Sequence, residues 1–281
     1  MINVDRHPDF ESAADRSSAT YAAIESLDTT RLLVGTALRT ILGAFLEMTE
    51  PTPHPQRRRR IALSSPPSPS NGAGPGKPGD KTRPVAPTKA ETRLLPAFPG
   101  LSPDRIHVPK TMAECKAAAD ELLAAEIAGF DTEAKPTFKV GEKSGGPHVV
   151  QFALTDRAFI FQLHRSECEK VAAELIASKR VLKVGFGLKN DRAQIRSRLG
   201  IELNHVLDLD QCFRKLGYRG QIGVRSAMGA LLNLHFPKSK SITTSNWAAA
   251  KLNRRQLLYA ANDAFAALKI MEALQREGDL E

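Results

Sequence analysis

The sequence predicts an α/β fold for its C-terminal two thirds: a mixed five-stranded sheet flanked by helices, preceded by a disordered basic linker and a short N-terminal helical segment. Three observations carry this. From Leu95 onward, short strand-like runs are followed by stretches whose apolar residues recur at helical spacing. The strand runs come first as a meander and then alternate with helices, which implies a sheet covered on its faces. Residues 51–94, by contrast, hold ten of the eighteen prolines, nine Lys/Arg and only two acids. The stretch SSPPSPSNGAGPGKPGDK cannot bury enough apolar surface to offset its ordering entropy.

Within the folded part, Ile106–Val108 is a short strand candidate. Thr111 to Glu126 reads as a helix with Thr111 as N-cap and Ala118, Ala119, Leu122 and Leu123 as its apolar face. Three strands follow, Ile127–Glu133, Val149–Leu154 and Ala158–Leu163, the last two joined by a tight turn at Asp156-Arg157. Ser166 to Ser178 is a helix with Ser166 as N-cap. Val181–Val184 is the fourth strand, GFGLKND leads into a helix through Arg198, and His205–Leu209 is the fifth strand. The remainder is helical, roughly over 210–217, 222–233 and 254–276.

The net charge of +9 favours an acidic partner, of which nucleic acid is the commonest. Cys115, Cys168 and Cys212 stand far apart in sequence, form no CxxC pair, and read as small buried hydrophobes of a reducing compartment. The start MINVDRHPDFESAADR is acidic where a signal peptide would be basic. The apolar stretch Leu32–Leu46 contains Arg39 and falls short of the roughly 20 residues of a membrane span. The expectation is an intracellular protein, cytoplasmic or, in a eukaryote, nuclear.

Residues 1–50 carry a net charge of −4 and read as one or two helices. Three readings stand: a partner-binding or autoinhibitory helix, a helix packed on the main domain or a poorly structured leader, and a chain whose true start is Met48. The run Arg57–Arg60 reads as phosphate contacts, a nuclear targeting signal or a solvated charge run.

Asp131 and Glu133 end the strand IAGFDTE, and alternation puts both carboxylates on one face. Adjacent carboxylates repel, and a divalent cation with a preference for hard oxygen ligands relieves this. Alone, the pair also fits two solvated acids. Asp191 falls in the first turn of a helix, where an acid is favoured by the dipole in any case. Tyr259 and Asp263 share one face of an otherwise apolar helix, and a buried acid there needs a partner.

FDTE, GFGLKND and YAANDA, in this order and at these distances, resemble the DEDD superfamily of 3′→5′ exonucleases, whose architecture is ribonuclease H-like. Tyrosine four residues before the last Asp is the mark of the DEDDy branch. The segment KSITTSNW (Lys240–Trp247) and the phrase LYAANDA are similar to the Werner syndrome exonuclease type, over about residues 105–276. The resemblance implies two divalent ions, Mg²⁺ or Mn²⁺, held by Asp131, Glu133, Asp191 and Asp263, with Asp131 shared between them. Tyr259 would orient the attacking water, and a 5′-nucleotide would leave from the 3′ end of DNA or RNA.

For substrate contacts, Thr132 lies between two ligands, and Lys135, Lys139 and Lys143, with the GEKSGGP turn, follow the first motif as phosphate contacts or as an ordinary solvated loop. Trp247 is a base-stacking candidate or, alternatively, a core anchor. His148, His164, His205 and His235 lack zinc-ligand spacing and read as structural. The rival functions are a catalytically silent nucleic-acid-binding module with an N-terminal protein-interaction segment, and another carboxylate metalloenzyme such as a phosphatase. The presence of all four acids and the tyrosine argues against the first.

Overall fold

In the structure, a computed structural model describing residues 84–279 apart from 138–140, 142 and 143, the chain is organised around one mixed sheet. The expected N-terminal helices and the Arg57–Arg60 run lie outside the described residues. Among these, the sheet has six strands: β1 Ile106–His107, β2 Ile127–Glu133, β3 Val149–Ala153, β4 Ala158–Gln162, β5 Leu182–Gly185 and β6 Val206–Asp208. Their order is β1-β4-β3-β2-β5-β6. The β2-β3 and β3-β4 pairs are antiparallel, and β1-β4, β2-β5 and β5-β6 are parallel. The five strands expected are therefore joined by a sixth, the Ile106–Val108 candidate. It is only two residues long because it pairs with β4 through Ile106↔Ala158 and His107↔Phe159 alone.

Strand alternation builds two cores. On one face, Phe130, Val150, Phe152, Phe159 and Phe161 pack against helices α2 (Met112–Ala125), α3 (Ser166–Ala177) and α4 (Lys189–Leu199). On the other, Val149, Ala153, Ala158 and Ile160 meet the long helix α8 (Arg254–Asp279) through Ala260, Ala261, Ala264 and Phe265. Every residue of β3 and β4 is buried, as a doubly covered sheet requires.

Local chemistry sets the helix ends. The Thr111 hydroxyl accepts from the Glu114 amide at 3.2 Å and the Glu114 carboxylate accepts from the Thr111 amide at 3.3 Å, a reciprocal capping box that starts α2 where expected. At α3 the cap falls one residue earlier than expected. Arg165 occupies it without a side-chain bond, Ser166 is already helical, and Glu167 and Glu169 face the helix dipole. The far end of α3 is tied by Lys183 of β5, fully buried, whose ammonium donates to Ser178 O (2.6 Å) and Leu175 O (3.3 Å).

The cysteine reading holds and the linker reading changes. Cys115 and Cys168, distant in sequence, meet with Sγ atoms 2.9 Å apart because α2 and α3 pack side by side; both are buried, as small hydrophobes would be. The linker expected over 51–94 ends in folded chain. Residues 89–92 form helix α1 (Lys89–Thr92), capped by Thr88. Thr92, Pro87 and Leu95 all close on Gly229 of α6 (Val224–Leu232). Proline-rich composition hid this, because the contact depends on a distant glycine that leaves room for it.

Candidate metal centre

Strand β2 pairs with β3 along Gly129–Glu133 but with β5 only as far as Gly129. Past that point its β5-facing edge is open, and the side chains of Asp131 and Glu133 project from the end of the sheet. Helix α8 can approach here because Gly129 has no Cβ: one built at that position would lie 2.0 Å from Ala264 O. The approach brings Asp263 in, and the carboxylates of Asp131, Glu133 and Asp263 offer ligand atoms within 4.8 Å of one another. Glu133 and Asp263 are buried.

Asp191, in the first turn of α4, comes from the opposite face of the sheet. It joins the others through Thr132, whose hydroxyl donates to its carboxylate, while the Thr132 amide donates to Asp131 Oδ1 at 2.9 Å. The hydroxyl of Thr132 is thus engaged within the site. Asp131 stands between the two groups.

Tyr259, one turn before Asp263, receives a hydrogen bond from the Thr243 hydroxyl at 3.0 Å. That contact explains the segment Lys240–Trp247. Its short helix α7 (Lys240–Thr243) carries Thr243, and Gln256 of α8 grips the turn by donating to Ser245 Oγ (2.9 Å) and Asn246 O (3.2 Å). Trp247 is 1% exposed, donates from Nε1 to Thr243 O at 3.2 Å and packs beside Tyr259. It has no face free to stack a base, so its role is that of the core anchor. Lys135 is exposed at the start of the loop after β2, and Lys139 and Lys143 lie outside the described residues. His148 is structural: its Nδ1 accepts from the Lys135 amide at 3.1 Å.

Sequence reading missed Lys238. Its ammonium lies 3.4 Å from Asp263 Oδ1 and 6.0 Å from the Tyr259 ring centroid. It sits in an irregular segment, where no periodicity could aim it at the acids.

The electrostatics fit a cation site. Burial, then the charges of Asp191 and Asp263, pushes the Asp131 carboxyl well above the ordinary range. Burial, then Asp131 and Asp263, pushes Glu133 up to about 10. Burial also raises Asp263 against the pull of Lys238, and raises Asp191 against the hydrogen bond from Thr132. Burial alone would lower Lys238, but Asp263 and Asp131 hold it above its ordinary value. Burial and the Asp263 charge raise Tyr259, which stays a neutral phenol. Asp263 Oδ1 is buried and makes an ion pair with Lys238, with no hydrogen bond of good geometry. An all-oxygen donor set of three carboxylates within 4.8 Å suits a hard divalent cation such as Mg²⁺ or Mn²⁺.

A pH dependence follows. Glu133 ordinarily titrates at 4.5 and here near 10, so between these values the folded protein keeps a proton that the unfolded chain releases. The resulting stability is fully present below pH 4.5 and is lost as pH rises toward 10; Asp131 and Asp263 shift in the same direction. The metal-free protein should therefore melt at progressively lower temperature from about pH 5 to pH 9. Saturating Mn²⁺ should raise the midpoint more at pH 8 than at pH 6. A flat metal-free profile in differential scanning calorimetry would contradict the strain assigned to the cluster.

Residues 106–279 match the family model described as 3′-5′ exonuclease. Among curated proteins, the chain is 29% identical over 161 residues to the mouse bifunctional 3′-5′ exonuclease/ATP-dependent helicase WRN, covering 56% of this chain and 11% of that protein. It is 28% identical over 149 residues to a 3′-5′ exonuclease of Arabidopsis thaliana, covering 52% of each. It therefore spans about half or less of the length of these relatives. Among solved structures, the Aedes aegypti Nibbler EXO domain superposes with a TM-score of 0.54 at 22% identity, covering 63% of this chain and 90% of that one. Trypanosoma brucei RNase D in complex with RNA U12 gives 0.54 at 21% identity, covering 60% and 62%. These likenesses corroborate the fold expected from the order of strands and helices.

Proposed function

The chain belongs to the 3′-5′ exonuclease family, and from that premise we propose that it hydrolyses the terminal phosphodiester bond at the 3′ end of DNA or RNA, using two divalent ions and releasing 5′-nucleotides. The observation that carries the reading is the convergence of Asp131, Glu133 and Asp263 within 4.8 Å at the open end of β2.

Mg²⁺ or Mn²⁺ bound there would lower the pKa of an attacking water and stabilise charge on the leaving oxygen. Asp131, Glu133 and Asp263 would hold one ion, and Asp131 with Asp191 the other. Asp131 would be the shared ligand, since Asp263 and Asp191 both press on it and Thr132 links it to Asp191. Tyr259, a neutral phenol at neutral pH that accepts a hydrogen bond from Thr243, would orient the water by hydrogen bonding and not deprotonate it. Lys238 sets a positive charge beside the carboxylates where the phosphate arrives, and exposed Lys135 is placed to meet the strand's phosphates.

The test is a panel of 5′-labelled single-stranded DNA, duplex DNA and RNA, incubated with Mg²⁺ or Mn²⁺. Products shortening stepwise from the 3′ end, with none from the Asp131→Ala protein, support the reading. Equal activity in both proteins, or none in either, sinks it. Immediate release of the label as a mononucleotide would reverse the polarity.

Truncation tests the domain boundary. Removing residues 1–83 should leave activity largely intact, because every residue of the candidate site lies between 131 and 263. Removing 1–94 strips the cover over Gly229 and should cost on the order of 2 kcal/mol, the burial value of about one apolar side chain, in urea unfolding. Equal stability of the two truncations would show that 84–94 contributes nothing.

A further inference from the structure

The GFGL turn delivers Asp191, yet it has no capping side chain of its own. Leu188 stands at the N-cap position of α4 and makes no side-chain cap bond, and Gly187 before it has φ +64°. Free backbone amides here need acceptors. They find them on a different strand. Asp208, the last residue of β6, accepts from the Gly187 amide through Oδ1 at 2.8 Å and from the Leu188 amide through Oδ2 at 3.0 Å. The same Oδ1 accepts from the Asp210 amide at 3.1 Å, which caps α5 (Leu209–Lys215) and fixes the carboxylate in turn.

We propose that Asp208 is a positioning residue for Asp191: by clamping the two amides ahead of α4 it fixes where that helix starts, and so holds the Asp191 carboxylate against Thr132 and Asp131. The argument is one of reach. Asp191 stands three residues after Leu188, enters from the face of the sheet opposite Asp263, and is tied to the other acids by the hydrogen bond from Thr132, whose amide bonds Asp131. The carboxylate cluster of Asp131, Glu133 and Asp263 needs no help from this turn, because β2 and α8 are packed directly on each other. Asp208 therefore governs one ion position and not the other. A neutral amide cannot replace it: Asn would keep one acceptor but turn an NH₂ donor toward an amide N–H.

The inference extends the exonuclease reading, and its test separates the two. Mn²⁺ binding to the full chain is followed by electron paramagnetic resonance and calorimetry for wild type, Asp208→Ala and Asp208→Asn. The ion position that includes Asp191 should lose about 10–100-fold in affinity, the range for residues that orient metal ligands, with the other within about twofold. On an oligonucleotide at fixed Mn²⁺, kcat should fall by a similar factor while KM stays within about twofold. In an Asp191→Ala background, adding Asp208→Ala should change neither quantity. Wild-type Mn²⁺ binding in the Asp208 variants, or an equal loss in the Asp191→Ala background, overturns the proposal. If Asp208→Ala fails to fold, the isosteric Asp208→Asn protein carries the same measurements. A wild type that cuts no nucleic acid would end the exonuclease reading while the Mn²⁺ titrations still decide the role of Asp208.

Discussion

Replacing Asp131 with Asn should abolish exonuclease activity and at the same time stabilise the metal-free protein. The loss is expected to be on the order of 10²–10³-fold or more, the scale seen when a preorganised electrostatic group is removed, since this carboxylate faces both Glu133 and Asp263 on one side and Asp191 on the other. The gain in stability comes from the same place. Burial and two neighbouring negative charges press on Asp131, and one pKa unit of such pressure corresponds to about 1.4 kcal/mol. Asn is close in shape and keeps an oxygen to accept the Thr132 amide. Thermal unfolding in EDTA should therefore show a midpoint several degrees above wild type, with little further rise on adding Mn²⁺. A general folding defect would move activity and stability together, so the opposite signs are diagnostic. A lower metal-free midpoint would mean that the acids are not strained without a cation.

The second large effect concerns a residue with no side chain. Gly129→Ala places a methyl group 2.0 Å from Ala264 O and 2.8 Å from Ala264 C, with Leu268 Cβ at 3.2 Å. The obstacle is helix backbone, which cannot rotate aside. Helix α8 must lift from the sheet, opening contacts along β2, β3 and β4. A cost of about 3 kcal/mol or more is expected, at the upper end of overpacking effects. Activity should fall even in the molecules that fold, because the displaced residue 264 adjoins Asp263. Gly145→Ala, whose added atom would come no closer than 4.0 Å to His148 Nε2, should be near neutral and serves as the control. Chemical denaturation of both variants decides the matter: near-equal midpoints would show that α8 does not bear on Gly129.

Much of the site could be read before any coordinates. The two-residue period of a strand put Asp131 and Glu133 on one face, and the four-residue helical spacing put Tyr259 and Asp263 on another. Both relations are local and survive folding unchanged. The Thr111–Glu114 capping box and the turn at Asp156-Arg157 were legible for the same reason. What escaped depends on pairs far apart in sequence. Lys238 reaches Asp263 from an irregular segment, Asp208 clamps an amide twenty-one residues away, and the Cys115 and Cys168 thiols meet only because two helices pack. Trp247 was ambiguous because the same indole suits a core or a nucleobase, and only its 1% exposure decides for the core. The short candidate Ile106–Val108, by contrast, holds as the two-residue β1.

The docking of α8 against Gly129 also sets a schedule for synthesis. Asp131 and Asp263 are separated by 132 positions, so the carboxylate cluster is a long-range contact that must await loop closure. A chain emerging from the ribosome exposes Asp131, Glu133 and Asp191 while the third member of the cluster is still being made. Until α8 has been translated and has settled on the sheet, the nascent polypeptide has no complete cation cage. Products that end before residue 254 lack Asp263 and should not carry the proposed activity. The cluster thus becomes complete only once the chain has been made through α8.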